Sequence, residues 1–219
     1  MQVQGFVVGR LAANCFVLAD EESGDALVVD PGDNAAELLA QFREREFNIT
    51  GILATHHHLD HSGGVHDLLE ALPDAKFYMH RLDYPMIAAQ APTAGSWYGH
   101  DVTPPREPDR FLDHGDTIEL GGRTLTALHC PGHTPGSLCL YGEGAVFTGD
   151  VLFAGSVGRS DFPGGDAETL IRSIREHLLT LPDETAVLPG HNQTTTVGAE
   201  RAVNPFLRDP RGTLGIDLD

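Results

Sequence analysis

The sequence is poor in three things: cysteine, basic residues and long apolar runs. Three cysteines, Cys15, Cys130 and Cys139, are spread over 219 residues. Their odd number and the lack of any CxxC spacing exclude a disulfide framework and point to a reducing compartment. Only 14 basic residues face 32 acidic ones, leaving a formal net charge of -18. A field of that sign repels phosphate backbones and anionic headgroups, so neither nucleic acid nor a membrane is an expected partner. The plain reading of such acidity is a solvated surface. No run approaches the ~20 apolar residues of a membrane span. Residues 11–19, behind Arg10, have a weak signal-like character, but Asn14 interrupts them and Asp20, Glu21 and Glu22 close them. A cytoplasmic protein is expected.

What is present is an ordinary hydrophobic share of 41 %, enough for a sizeable core. Residues 3–8, 14–18 and 26–29 read as strands, the last ending at the turn Asp30-Pro31-Gly32. Residues 35–47 carry Leu38, Leu39, Phe42 and Phe47 as an imperfect helical stripe. A short apolar strand, 49–54, stops at Thr55; a helix over 64–72 and a strand over 76–80 follow. Strand, helix, strand, helix is the rhythm of a layered α/β protein. Residues 91–109 are proline-rich and aperiodic, either a plain surface loop or a segment that covers a pocket. Strands return at 117–120, 124–128, 137–141 and 145–148, with Gly121-Gly122 as a tight hairpin turn between the first two. Asp166 reads as the N-cap of a helix over 167–179, and a last strand, 185–188, ends at Pro189-Gly190-His191. No linker or repeat divides the chain, so one domain over residues 1–219 is the simplest account.

The sharpest feature is Thr55-His56-His57-His58-Leu59-Asp60-His61. If the chain is still extended there, His56 and His58 leave from one face and His57 from the other. Asp60 and His61, where the chain turns into a helix, then aim at a second, adjacent point. Three further candidates sit at glycine-adjacent turns: His133 in Pro131-Gly132-His133, Asp150 in Gly149-Asp150, and His191 in Gly190-His191. The last two directly follow predicted strands, whose ends collect site residues in α/β folds. His66, His80, His100, His114 and His177 lack such settings and read as structural or surface residues. His129 reads as a packed or supporting residue.

Together with Val29-Asp30-Pro31-Gly32, this HxHxDH run and the later His, Asp and His resemble the metallo-β-lactamase superfamily. Within it the chain is most similar to short bacterial glyoxalase-II-like hydrolases, through Gly158-Arg159-Ser160-Asp161-Phe162-Pro163, Gly198-Ala199-Glu200-Arg201 and Asn204-Pro205-Phe206-Leu207. The resemblance implies an α/β fold, an αββα sandwich of two mixed sheets flanked by helices. It implies one metal held by His56, His58 and His133, a second by Asp60, His61 and His191, and Asp150 bridging both. Asp30 matches the family's buried carboxylate that supports a ligand from behind.

A ligand set of His and Asp suits two divalent ions: zinc, iron or manganese. The implied chemistry is hydrolysis of a small-molecule thioester of the hydroxyacylglutathione type, with Asp60 orienting the nucleophile and accepting its proton. A thiolate leaves with little help from an acid. Arg159 is a candidate for a substrate carboxylate, with a salt bridge to Asp161 about as plausible. The lack of cysteine at the bridging position disfavours true β-lactamases. The longer glyoxalase II enzymes carry a C-terminal helical segment absent here, which puts glutathione itself in question. The alternatives are a mononuclear-iron persulfide dioxygenase using His56, His133 and Asp150, a lactone or small-ester hydrolase, and a non-catalytic metal-binding module.

Overall fold

Alternation along one strand shows how the molecule is layered. In β2 (Ala13–Ala19) Cys15, Val17 and Ala19 pack into one hydrophobic cluster, whereas Phe16 and Leu18 pack into another. Successive strand residues face opposite sides, so a strand buried on both faces must sit between two layers. The computed structural model, which describes residues 1–216, shows those layers. The last three residues of the single-domain expectation, 217–219, lie outside the described ones.

The first sheet runs in the order β1 (Gln2–Val8), β2, β3 (Asp25–Val29), β4 (Asn48–Leu53), β5 (Lys76–Met79) and β6 (Arg110–Phe111). It is mixed: β1 to β3 pair antiparallel, while β3 to β6 pair parallel. The second sheet contains β7 (Thr117–Leu120), β8 (Arg123–His129), β9 (Leu138–Gly142) and β10 (Ala145–Gly149). A small hairpin, β11 (Leu152–Phe153) with β12 (Ser156–Val157), leaves this sheet before β13 (Ala186–Pro189) and β14 (Thr195–Thr196) complete it. Its order is β14-β13-β10-β9-β8-β7, with only β10 and β13 parallel. The β7–β8 turn is the expected Gly121-Gly122, with both φ positive at 55° and 79°. A two-residue hairpin of this hand matches strand twist, and glycine adopts it without strain.

Between the sheets lies a core of Phe16, Leu18, Leu27, Val29 and Leu53 from the first against Leu125, Leu138, Leu140 and Phe147 from the second. The outer face of the first sheet is covered by α1 (Ala35–Glu44), through Leu38 and Phe42, and by α3 (Val65–Ala71), which follows the single turn α2 (Leu59–Ser62). Next come α4 (Tyr84–Gln90), which adds Ile87, and α5 (Ala94–Trp97). The outer face of the second sheet is covered by α6 (Ala167–Ser173) and by α7 (Val197–Val203), followed by the short α8 (Pro205–Arg208) and α9 (Pro210–Leu214). Two mixed sheets thus lie face to face with helices on both outer sides, the αββα arrangement.

Three differences from the sequence reading have local causes. The first helix stops at Glu44, because Glu46 takes a left-handed φ of 57° and turns Phe47 back onto the core. The helix after Asp166 changes at Ile174 into one π turn, Ile174–Leu178, which a 3.6-residue pattern does not distinguish. Residues 91–109 begin with short helical turns, Ala91–Thr93 and Ala94–Trp97, where an aperiodic sequence gave no helical signal.

Candidate metal centre

The ends of β3, β4, β10 and β13 open at one edge of the sandwich, which is where chain ends of parallel strands gather polar residues. The two sheets are joined there by the bonds Leu138 N to Thr55 O (2.9 Å) and Asn14 N to Gly190 O (2.7 Å). All seven residues expected to hold metal lie at this edge.

His58 is still extended (φ -61°, ψ 138°), so His56 and His58 leave the chain on one side. His56 Nε2 lies 3.1 Å from His58 Nδ1, and His133 Nε2 lies 3.0 Å from the same atom. Three donors held about 2.0–2.1 Å from one ion sit roughly 3 Å apart, so this spacing fits a shared cation. The turn α2 carries Asp60 and His61 to a neighbouring point. There His61 Nε2 is 3.3 Å from His191 Nε2, and His191 Nε2 is 3.2 Å from Asp60 Oδ2. Asp150 stands between the groups, with Oδ1 3.3 Å from His61 Nε2 and Oδ2 3.7 Å from His133 Nε2. Its buried Oδ1 has no hydrogen-bond partner among the described residues. A buried carboxylate oxygen without a donor calls for a cation. Gly190 is required by this packing, since a Cβ there would lie 2.5 Å from the His61 ring and 2.6 Å from Asp150 Oδ1.

The rings are fixed from behind. His61 Nδ1 donates to Asp30 Oδ2 (3.0 Å), so Nε2 is the atom turned to the cluster. Asp30 also accepts from Thr55 N (2.7 Å) and Thr55 Oγ1 (2.8 Å). It is close enough to His56 and His61 to be a ligand by distance, but donors already occupy both its oxygens, as befits a support. His133 Nδ1 donates to the carbonyl of Arg159 at 2.6 Å, which likewise leaves Nε2 for the cluster.

Electrostatics divide the two groups. Burial, then the repulsion of His61 and the other rings, pushes His56 well below the usual histidine range. Burial and the His133 ring push His58 down to about 3, and burial likewise lowers His133. Around His61 burial is outweighed by Asp150, Asp60 and Asp30, which together raise it to about 10. Burial opposes ionisation of Asp60, yet His61 and the His191 hydrogen bond hold its carboxyl well below the ordinary range.

Two residues at the site, Asp83 and Tyr98, had no signal in the sequence, and a third, Glu200, was marked only by its motif. Asp83 occupies the cap position of α4 but makes no cap bond. Fully buried, it accepts instead from His57 N (2.9 Å), the His57 ring (2.9 Å), Thr134 Oγ1 (2.7 Å) and Gly136 N (2.6 Å). It therefore clips the His56–His58 segment to the turn that carries His133, and His57 points away from the cluster as its spacing predicts. Tyr98, from the 91–109 segment, places its hydroxyl 3.5 Å from Asp60 Oδ1. Burial and the Asp60 charge raise its pKa, so the phenol stays a donor. Glu200 lies behind the hairpin that follows Asp150.

Other expectations find plain structural homes. His129 stacks on His80 with ring centres 4.2 Å apart and donates to Pro135 O at 2.9 Å. His114 and His177 pack ring against ring, 4.4 Å between centres, and line a separate cleft of about 250 Å³. Arg159 is bound by both oxygens of Asp161 (2.9 and 2.8 Å) and lies over the Phe162 ring. No helix among the described residues is long and apolar enough to cross a membrane.

A fold of this kind with this ligand edge defines a class, and sequence comparison agrees. The chain belongs to the metallo-β-lactamase superfamily, whose family model matches residues 8–191. It is 37 % identical over 210 residues to the hydroxyacylglutathione hydrolase GloC of Haemophilus influenzae, covering 94 % of this chain and 98 % of that one. Among solved structures, TTHA1623 in a di-iron-bound form is 41 % identical with a TM-score of 0.83, covering 93 % of this chain and all of that one (100 %). The B3 metallo-β-lactamase BLEG-1 is 31 % identical with a TM-score of 0.82, covering 94 % and 99 %. The protein is accordingly a metallo-hydrolase of this superfamily, with a His/Asp cluster of the kind that takes divalent metal.

Proposed function

We propose that the protein hydrolyses a thioester of the hydroxyacylglutathione type from a dinuclear centre held by His56, His58 and His133 on one side and Asp60, His61 and His191 on the other. The observation that carries this reading is Asp150, a carboxylate set between two donor groups with one buried oxygen lacking a hydrogen-bond partner. Convergence of Asp60, His61 and His191 supports two ions over a mononuclear centre, in which those three donors would stand idle. Similarity to a hydroxyacylglutathione hydrolase over nearly the full length supports the thioester.

Divalent ions bound there would lower the pKa of water towards ~7 and polarise a carbonyl. The chain's own residues supply orientation. Asp60 would hold metal through Oδ2, on the His191 side, and use Oδ1 to orient the nucleophile and accept its proton. Tyr98 donates to that same oxygen and so fixes which oxygen does which task. No general acid is needed to expel a thiolate, whose conjugate acid has a pKa near ~8.5. Arg159 meets a substrate carboxylate only by giving up Asp161.

A second reading, β-lactam hydrolysis, is supported only by the likeness to a B3 β-lactamase, while the absence of cysteine at the bridging position weighs against it. One experiment separates the readings: metal analysis of the purified protein, with S-lactoylglutathione, a cephalosporin and a persulfide (with oxygen uptake) assayed on the same sample. Two metals per chain with thioester cleavage as the dominant activity is expected. Dominant β-lactam turnover, or one iron with oxygen uptake, overturns the assignment.

A further inference from the structure

The C-terminal motif Gly198-Ala199-Glu200-Arg201 with Asn204 has no ligand-type residue at the cluster, yet two of its side chains are among the most buried polar groups in the molecule. Glu200 is 2 % exposed and Asn204 is 0 % exposed. Glu200 Oε2 accepts from Gly155 N (2.9 Å) and from Asn204 Nδ2 (2.8 Å), and Oε1 accepts from Thr195 Oγ1 (2.7 Å). Asn204 Nδ2 also donates to Ser156 O at 3.0 Å. Gly155 lies in the turn of the β11–β12 hairpin and Ser156 opens its second strand.

Both legs of that hairpin end at the metal centre. Asp150 immediately precedes the first leg. Gly158 and Arg159 follow the second, and Gly158 N closes the base on Val151 O at 3.3 Å. The Arg159 carbonyl takes the His133 Nδ1–H bond. There is no slack at this base: a Cβ on Gly158 would sit 1.8 Å from the Asp150 carbonyl oxygen and 3.3 Å from His133 Nδ1. Tilting the hairpin therefore moves Asp150 and the His133 hydrogen bond together.

A buried carboxylate is costly unless its lone pairs are filled, and plain packing is often served as well by an apolar side chain. Glu200 instead meets three neutral donors from three segments, which is a device for setting their positions. We propose that Glu200 and Asn204 are positioning residues for the metal centre. Through the hairpin they hold the Arg159 carbonyl that selects the His133 tautomer, and they seat Asp150 between the two donor groups. This rests on the reading of those residues as metal ligands.

The test uses the full chain carrying Glu200→Leu or Asn204→Ala. A leucine removes both acceptor oxygens and leaves Gly155 N, Thr195 Oγ1 and Asn204 Nδ2 without their shared partner. Asn204 cannot turn to replace them, because its Oδ1 already accepts from Phe206 N (3.0 Å). Nitrogen-15 NMR of labelled histidine in the metal-free protein reads the His133 tautomer directly, and competition with a zinc chelator reads affinity. Leu207→Ala, in the same outer core, controls for a general loss of stability. We expect both variants to mix the His133 tautomers and to lose about tenfold in zinc affinity, with the control unchanged in both. A single His133 tautomer with wild-type affinity in Glu200→Leu overturns the proposal, as does an equal loss in the control. A wild-type protein that binds no zinc refutes the metal reading instead, and the metal-free tautomer measurement still decides the role of Glu200.

Discussion

The two halves of the proposed metal centre lie side by side and are built on opposite principles. The His56, His58 and His133 half is all nitrogen, buried, and pushed towards neutral rings. The Asp60, His61 and His191 half surrounds its buried histidine with three carboxylates and, without metal, retains a proton on it up to about pH 10. The first half offers lone pairs as folded. The second balances its negative charge with a proton that a cation must displace. Metal binding is therefore linked to pH mainly through one half.

Removing what the halves share should have the largest effect. Asp150→Ala is expected to bring metal content below one equivalent and to lower thioester turnover about a thousandfold, or ~4 kcal/mol of transition-state stabilisation. Full retention of two metals would show that the halves bind independently. Next in size, Asp60→Asn should cost roughly a hundredfold in turnover by removing the proton acceptor, within the range of general-base effects. His57→Ala should cost little turnover. It should instead lower the unfolding free energy read from urea titration by ~1–3 kcal/mol, because the fully buried Asp83 loses its ring partner. Comparable turnover losses from the two would mean that both side chains face the reaction.

The pH contrast comes third. Calorimetry in two buffers of different ionisation heat should show more than one proton released with the metal entering the half of His61 and His191, both of them raised, and close to none with the other at pH 7. The sign is fixed by the shifts. His61, raised to about 10, stabilises the metal-free fold fully below the unfolded histidine value and loses that contribution as pH rises through 10. Its metal affinity must climb over the same range. His58, lowered to about 3, makes the metal-free fold lose stability as pH falls below ~6.5, where only the unfolded chain takes up its proton. Equal proton release from both halves would erase the distinction. The smallest effect is Tyr98→Phe, expected to weaken the second metal a few-fold (~0.5–1 kcal/mol), since the bond to Asp60 is long at 3.5 Å.

Legibility followed the same division between local and distant partners. His56 and His58 could be paired from spacing alone because an extended chain has a period of two, and the structure brings their nitrogens to 3.1 Å. The strands carrying Val28, Ile52 and Val146 were readable from their apolar runs. Asp83 was not readable: an aspartate one residue before Tyr84-Pro85 looks like a helix cap, and only folding directs it to His57, Thr134 and Gly136. Tyr98 was hidden in a segment without periodicity, and the π turn at Ile174–Leu178 lies beyond what a helical stripe can express.

By itself the sequence determined the layered α/β class, the types of the donor residues and the strand ends that carry them. These depend on periodicity and on residue chemistry, both local properties of the chain. The tertiary structure alone decided which ring nitrogen each histidine presents, which half keeps a proton, and which buried carboxylates brace the site from behind. Those choices are made by Asp30, Asp83, Glu200 and the Arg159 carbonyl, each meeting partners that neighbour it only in the folded chain.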